Sequence, residues 1–236
     1  MTNTWNRLAL LIFAVLSLLV AGELQAGVVV GGTRFIFPAD RESISILLTN
    51  TSQESWLINS KINRPTRWAG GEVSTVPAPL LAAPPLILLK PGTTGTLRLL
   101  RTENDILPVD RETLFELSIA SVPSGKVENQ SVKVAMRSVF KLFWRPEGLP
   151  GDPLEAYQQL RWTRNSQGVQ LTNPTPYYIN LIQVSVNGKA LSNVGVVPPK
   201  SQRQTSWCQA IAPCHVAWRA INDYGGLSAK KEQNLP

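Results

Sequence analysis

The sequence predicts an all-β protein made of two sandwiches. Three observations carry this reading. Short runs alternate apolar with polar residues, clusters of Gly, Pro, Asn and Ser separate them, and no segment of similar length keeps a 3.6-residue apolar period. The first run is 28–37, VVVGGTRFIF. Ile44, Ile46 and Leu48 alternate with polar neighbours, as do Trp56, Ile58 and Ile62, and Leu97 and Leu99 flank Arg98, so each run reads as a half-buried strand. Segment 76–91 carries Pro77, Pro79, Pro84, Pro85 and Pro91. Proline cannot donate to a central ladder, so this stretch is expected to be an irregular crossing or an edge. Leu117 and Ile119 continue the series, and the longest run is expected to extend from Gln130 to Trp144.

Segment 145–153, RPEGLPGDP, is rich in turn formers and reads as a linker. The expected domains are therefore 27–145 and 146–236, both ordinary sizes for sandwiches. The second half offers Leu160 with Trp162, Val169 with Leu171, then runs 178–186, 202–207 and 215–221. Asn187-Gly188 supplies a two-residue hairpin turn.

Ahead of the strands, Arg7 precedes an uncharged stretch, 8–22, that is shorter than the roughly 20 apolar residues a membrane-spanning helix needs. Leu24-Gln25-Ala26 places a small residue at the end of this region, so 1–26 reads as a cleaved secretory signal peptide. Export puts the chain in an oxidising compartment. There Cys208 and Cys214, the only cysteines, are expected to close a short loop across two strands and contribute about 2 to 3 kcal/mol.

Composition narrows the function. With 236 residues, 43% hydrophobic and 17% charged, the chain can bury a sizeable core and is no disordered tail. Lys and Arg outnumber Asp and Glu by 23 to 16, a net charge of +7 that favours an acidic partner. The basic residues are scattered, with no zinc spacing, basic helix or aromatic RNA-binding signature, which argues against nucleic acid. An enzyme or metal protein is also disfavoured. His215 is the one histidine, and no Ser elbow, His-Glu-x-x-His or phosphate-cradling Gly loop is present, so no cofactor or metal is expected. His215, Tyr177, Tyr178 and the tryptophans read as structural.

Within run 130–144, Val132, Val134, Met136 and Phe140 share one face, while Lys133, Arg137 and Lys141 share the other. Such alternation fits a core-facing strand with a solvated back. It also fits a strand that offers its apolar row to another chain by β-augmentation, where backbone pairing supplies affinity and alternate side chains fill pockets. An exposed apolar edge of this length would demand a client to cover it.

Five stretches carry a resemblance. They are Gly32-Thr33-Arg34-Phe35-Ile36-Phe37-Pro38, Leu107-Pro108-Val109-Asp110-Arg111-Glu112-Thr113-Leu114-Phe115, Phe140-Lys141-Leu142-Phe143-Trp144-Arg145-Pro146, Asn173-Pro174-Thr175-Pro176-Tyr177-Tyr178 and Ile221-Asn222-Asp223-Tyr224-Gly225-Gly226. In this order, behind a signal peptide, they make the chain similar to the periplasmic PapD-like pilus chaperones of the chaperone-usher pathway, over essentially all of the mature sequence. The resemblance implies two immunoglobulin-like domains around a cleft. It also implies a function: binding, folding and stabilising pilus subunits by donor-strand complementation, then delivering them to an outer-membrane usher for fimbrial assembly. Arg34 and Lys141 match the family's carboxylate anchor. Val132, Val134 and Met136 match its donor strand, and Glu112, Arg145 and Asp223 its charged interdomain network. Trp144 and Met136 depart from the commoner residues at their positions, and the connection 123–130 resembles the short-loop branch. Free molecules are open to self-association through the exposed strand. The alternative, a fimbrial subunit or adhesin, fits less well, because Gly27 leads straight into the first strand without an alternating extension.

Overall fold

The computed structural model describes residues 27–66, 76–102, 107–125, 133–192, 194–209 and 213–236. The expected signal peptide, residue Val132 and most of the 123–130 connection lie outside these residues.

Glycine and proline set where strands break. The first run is two strands, β1 (Val28–Val30) and β2 (Arg34–Pro38), parted at Gly31-Gly32, and the two halves join different sheets. The alternation shows that both halves are partly buried but not that the chain changes layers between them. β3 (Ser43–Asn50), β4 (Ser55–Asn63), β5 (Leu80–Ala83), β6 (Leu86–Leu89), β7 (Thr94–Arg101), β8 (Thr113–Ser124) and β9 (Met136–Arg145) complete the first half. One sheet has the order β1-β3-β7-β5 and the other β2-β9-β8-β4-β6. The proline-rich segment is both crossing and edge, since β5 and β6 border opposite sheets and Pro84-Pro85 lies between them. Two expectations are corrected. β8, with twelve residues, is the longest described strand. β9 starts at Met136, because its ladder with β8 ends at the pair Ser121↔Met136, so residues 133–135 precede the strand.

Phe37, Leu48, Ile58, Leu97, Leu99, Phe115, Leu117 and Leu142 fill the space between these sheets, each fully buried. Burying each such side chain is worth about 1.5 to 3 kcal/mol. Trp144 stacks on Phe37 in the same core, ring centroids 5.3 Å apart.

The second half holds β10 (Arg161–Asn165), β11 (Gly168–Asn173), β12 (Ile179–Val186), β13 (Lys189–Ala190), β14 (Val196–Val197), β15 (Ser201–Thr205), β16 (Cys214–Ile221) and β17 (Lys231–Leu235). A 3₁₀ turn, Ala156–Gln159, precedes them. One sheet is β10-β11-β15, the other β13-β12-β16-β17 with β14 also on β12. The β12–β13 turn has φ of 48° at Asn187 and 77° at Gly188, the left-handed pair a two-residue hairpin requires. Gly168, at φ 122°, lets the backbone pass Thr205, whose oxygen would sit 2.2 Å from any Cβ there. Trp162 is enclosed by Trp207 and Trp218, at 6.1 and 5.2 Å between centroids. Cys208 and Cys214 form a disulfide that joins the turn after β15 to the start of β16. His215 is half-exposed on β16, 3.8 Å from Glu232.

Candidate functional site

β2 and β9 run parallel, with Arg34 beside Lys141 and Pro38 beside Arg145. Residues on β2 alternate, so Phe35 and Phe37 enter the core while Arg34 and Ile36 face outward. On β9, Phe140, Leu142 and Trp144 turn to the core, and Lys141, Phe143 and Arg145 share the outward face with Arg34. Part of that outward face is covered by the second domain, where the Tyr178 ring meets Phe143 at 5.6 Å.

Two cations therefore stand side by side at the edge of the domain junction. The Arg34 guanidinium donates from Nη1 to the Ile221 carbonyl, 3.0 Å away on β16, and its buried Nε has no hydrogen-bond partner among the described residues. Burial lowers the pKa of Arg34, and the nearby Asp223 opposes that shift. Burial also lowers Lys141, and the adjacent Arg34 charge adds to the effect. Desolvation and mutual repulsion both favour an incoming anion, which would relieve each.

Next to this pair, Arg145 joins the domains. Its Nε donates to Glu112 at 2.7 Å, while Nη1 and Nη2 grip Asp223 at 2.7 and 3.1 Å. Glu112 is 3% exposed and also accepts the Tyr178 N–H at 2.7 Å. Burial pushes the Glu112 carboxyl above the usual range, against the pull of Arg145 and the Tyr178 N–H. The two acids hold Arg145 charged. Its guanidinium also lies over the Tyr177 ring at 5.4 Å.

The sequence-predicted residues thus fall into three places. Arg34 and Lys141 form one cluster, and Glu112, Arg145 and Asp223 form a second beside it. Val134 and Met136 lie beyond β2, 64% and 63% exposed, and Met136 is paired with β8 alone. From Met136 to Phe140 the second edge of β9 has no strand beside it among the described residues.

Sequence reasoning missed three contacts. The Ile221 carbonyl and Tyr178 N–H are backbone groups, which residue type cannot reveal. Lys200 bridges to Asp110 at 2.6 Å, a second clasp between the domains, and the hydrogen bonds from Lys200 and Arg111 hold the Asp110 carboxyl well below the usual range. Asp110 lies inside a quoted motif, but nothing in the sequence marks Lys200 as its partner.

Comparison with known proteins matches residues 27–150 to the PapD N-terminal domain of pili and flagellar-assembly chaperones, and residues 155–232 to the C-terminal domain of the PapD pili-assembly chaperone. Similar chains include the fimbrial chaperone YcbF of Escherichia coli K12, 99% identical over the full length of both. The chaperone protein FimC of the same strain is 33% identical over 91% of this chain and 87% of its own. Among solved structures, a chain from the complex of Salmonella enterica SafA pilin with the SafB chaperone superposes with a TM-score of 0.74 at 30% identity, over 90% of this chain and 98% of that one.

Proposed function

We infer the function from one premise: the chain belongs to the pili-assembly chaperone family. It works in the periplasm, captures a pilus subunit, completes the subunit's fold with a strand of its own, and hands it to an outer-membrane usher. It does so by binding alone and carries no catalytic centre. The observation that supports this most is the pairing of Arg34 with Lys141 at the point where β2 stops covering β9.

A subunit's terminal carboxylate would be gripped there by charge-assisted hydrogen bonds worth about 1.5 to 3 kcal/mol each. A chain end occurs once per subunit, so it fixes register. With the end fixed, the subunit's strand lies along the uncovered edge of β9, and Met136, Val134 and Val132 enter its groove. A slip by one residue would turn Arg137 and Lys133 into that groove instead. Glu112, Arg145 and Asp223 hold the second domain at the angle that keeps the anchor open to one side. Domain 27–145 supplies the anchor and donor strand, and domain 146–236 supplies the opposite wall.

Periplasmic co-expression with candidate fimbrial subunits, followed by pull-down, tests this. The wild type is expected to retain a subunit and protect it from degradation, whereas the folded Arg34→Ala, Lys141→Ala variant is not. Equal retention by the variant would remove the anchor assignment. Retention of no subunit by the wild type would remove the chaperone reading.

A further inference from the structure

The chain's positive charge is scattered along the sequence, but the ladder of the β2-β9-β8-β4 sheet collects part of it on one face. Arg34 and Lys141 form the first row. Lys61 stands in the next, through the pairs Lys61↔Ser118 and Ser118↔Val139, and Arg137 in the third, opposite Ala120. Direct cross-strand partners share a face, so all four cations point to the cleft side of the sheet. With strands about 4.8 Å apart and alternate residues about 6.8 Å apart, Lys61 and Arg137 stand about 12 Å from each other. That is somewhat more than the Debye length of about 8 to 10 Å at physiological salt, so their fields combine most strongly at low salt.

On this face Lys141 stands opposite Glu116, so the uncompensated part of the field comes from Lys61 and Arg137. Lys61 and Arg137 are exposed, and neither makes an ion pair among the described residues. Among the described residues of these strands, Glu116 is the only carboxylate on the face. It is 5% exposed and accepts the Thr66 N–H at 2.7 Å and the Thr66 hydroxyl at 3.2 Å. The residues between the cations are Val139, Ser118, Ala120 and Asn59, which offer no aromatic platform on which a nucleic-acid base could stack.

We propose that this face is an electrostatic docking surface for an acidic face of the incoming pilus subunit, steering it onto the anchor before the strands pair. The proposal rests on the subunit-capture reading and extends it. The anchor recognises one terminal carboxylate, whereas Lys61 and Arg137 recognise surface charge and so favour subunits acidic on the side that meets the chaperone. Steering of this kind acts on the association rate and fades with salt, while the strand contacts govern dissociation.

The test uses the full-length mature chain and the subunit recovered in the pull-down, with association followed by stopped flow at about 20 and 300 mM NaCl. Lys61→Glu with Arg137→Glu is expected to slow association about tenfold at low salt and less than twofold at high salt, with dissociation unchanged. Lys61→Gln with Arg137→Gln should fall between. Both positions are exposed, so an unchanged melting temperature verifies the fold of each variant. Equal rates for wild type and charge-reversed protein at low salt would overturn the proposal, as would a slowing that salt does not relieve. So would phosphatidylglycerol vesicles that displace the subunit from wild type but not from the charge-reversed protein, since the face would then be a membrane contact. If charge reversal slows association while the Arg34→Ala, Lys141→Ala variant still captures subunit, the docking surface stands and the anchor assignment falls. If wild type captures no subunit, both readings fall together.

Discussion

The two halves of β9 share a strand and an alternation but not an environment. From Lys141 to Arg145 the strand lies between β2 and β8, its inner side chains in the core and its outer ones against the second domain. From Met136 to Phe140 it has β8 on one side only among the described residues, and its first apolar side chain is 63% exposed. The change falls where β2 begins at Arg34, opposite Lys141. One half is held on both sides by the fold and the other is open along one edge among the described residues, with Arg34 and Lys141 at the boundary. A strand can thus be rigid enough to template pairing while keeping one edge free, because its other end is fixed on both sides.

The strongest way to break this contrast is at Arg145. Replacing it with Met leaves Glu112 buried without its cation, which costs about 3 to 5 kcal/mol and should appear as a lower urea midpoint. The sign of its pH dependence is a second check. A buried, unpaired carboxyl has a folded pKa above its unfolded one, so stability falls as pH rises from the unfolded value toward the folded one. The defect of Arg145→Met should therefore be smaller at pH 4 than at pH 7.

Paired substitutions within β9 sharpen the contrast. Leu142→Ala, at a fully buried position, should cost about 2 to 5 kcal/mol in urea denaturation. Met136→Ala lies on the same face but is exposed, and should change folding stability by less than about 0.5 kcal/mol while weakening subunit capture. If Met136→Ala destabilised the free chain as much as Leu142→Ala, the two halves would not differ in kind. Away from both halves, Cys208→Ser with Cys214→Ser should cost about 2 kcal/mol for so short a loop, and leave capture intact in a pull-down at low temperature.

The smallest effect belongs to the outer clasp. Asp110 has a depressed pKa, so its pairing with Lys200 and Arg111 contributes above the ordinary carboxylate pKa and is lost as pH falls through its folded value. Asp110→Asn should lower the melting temperature slightly at pH 7, and the difference from wild type should shrink below about pH 4.

Much of the fold was legible because burial leaves a period-2 trace. Ile46, Leu48, Ile58, Leu97 and Leu99 are core residues as their alternation indicates. β17 was missed because KEQNL is an edge strand whose first four residues are polar and only Leu235 is buried. The layer change at Gly31-Gly32 was missed because alternation reports which residues are buried and not which neighbour covers them. The proposed anchor and the interdomain cluster were named from motifs, and no local pattern around Arg34 or Lys141 sets them apart from surface charge. The basic face was hidden for a related reason. Positions 34, 61, 137 and 141 become neighbours only through pairings between distant strands.

The tryptophans are grouped differently in the two domains, with an optical consequence. Trp162, Trp207 and Trp218 lie close enough for their indole transitions to couple, whereas Trp144 stacks on Phe37 in the other core. A near-ultraviolet circular dichroism couplet should therefore arise from the second-domain trio. Its amplitude, followed beside total fluorescence, would show whether the domains melt together or in sequence, without any label.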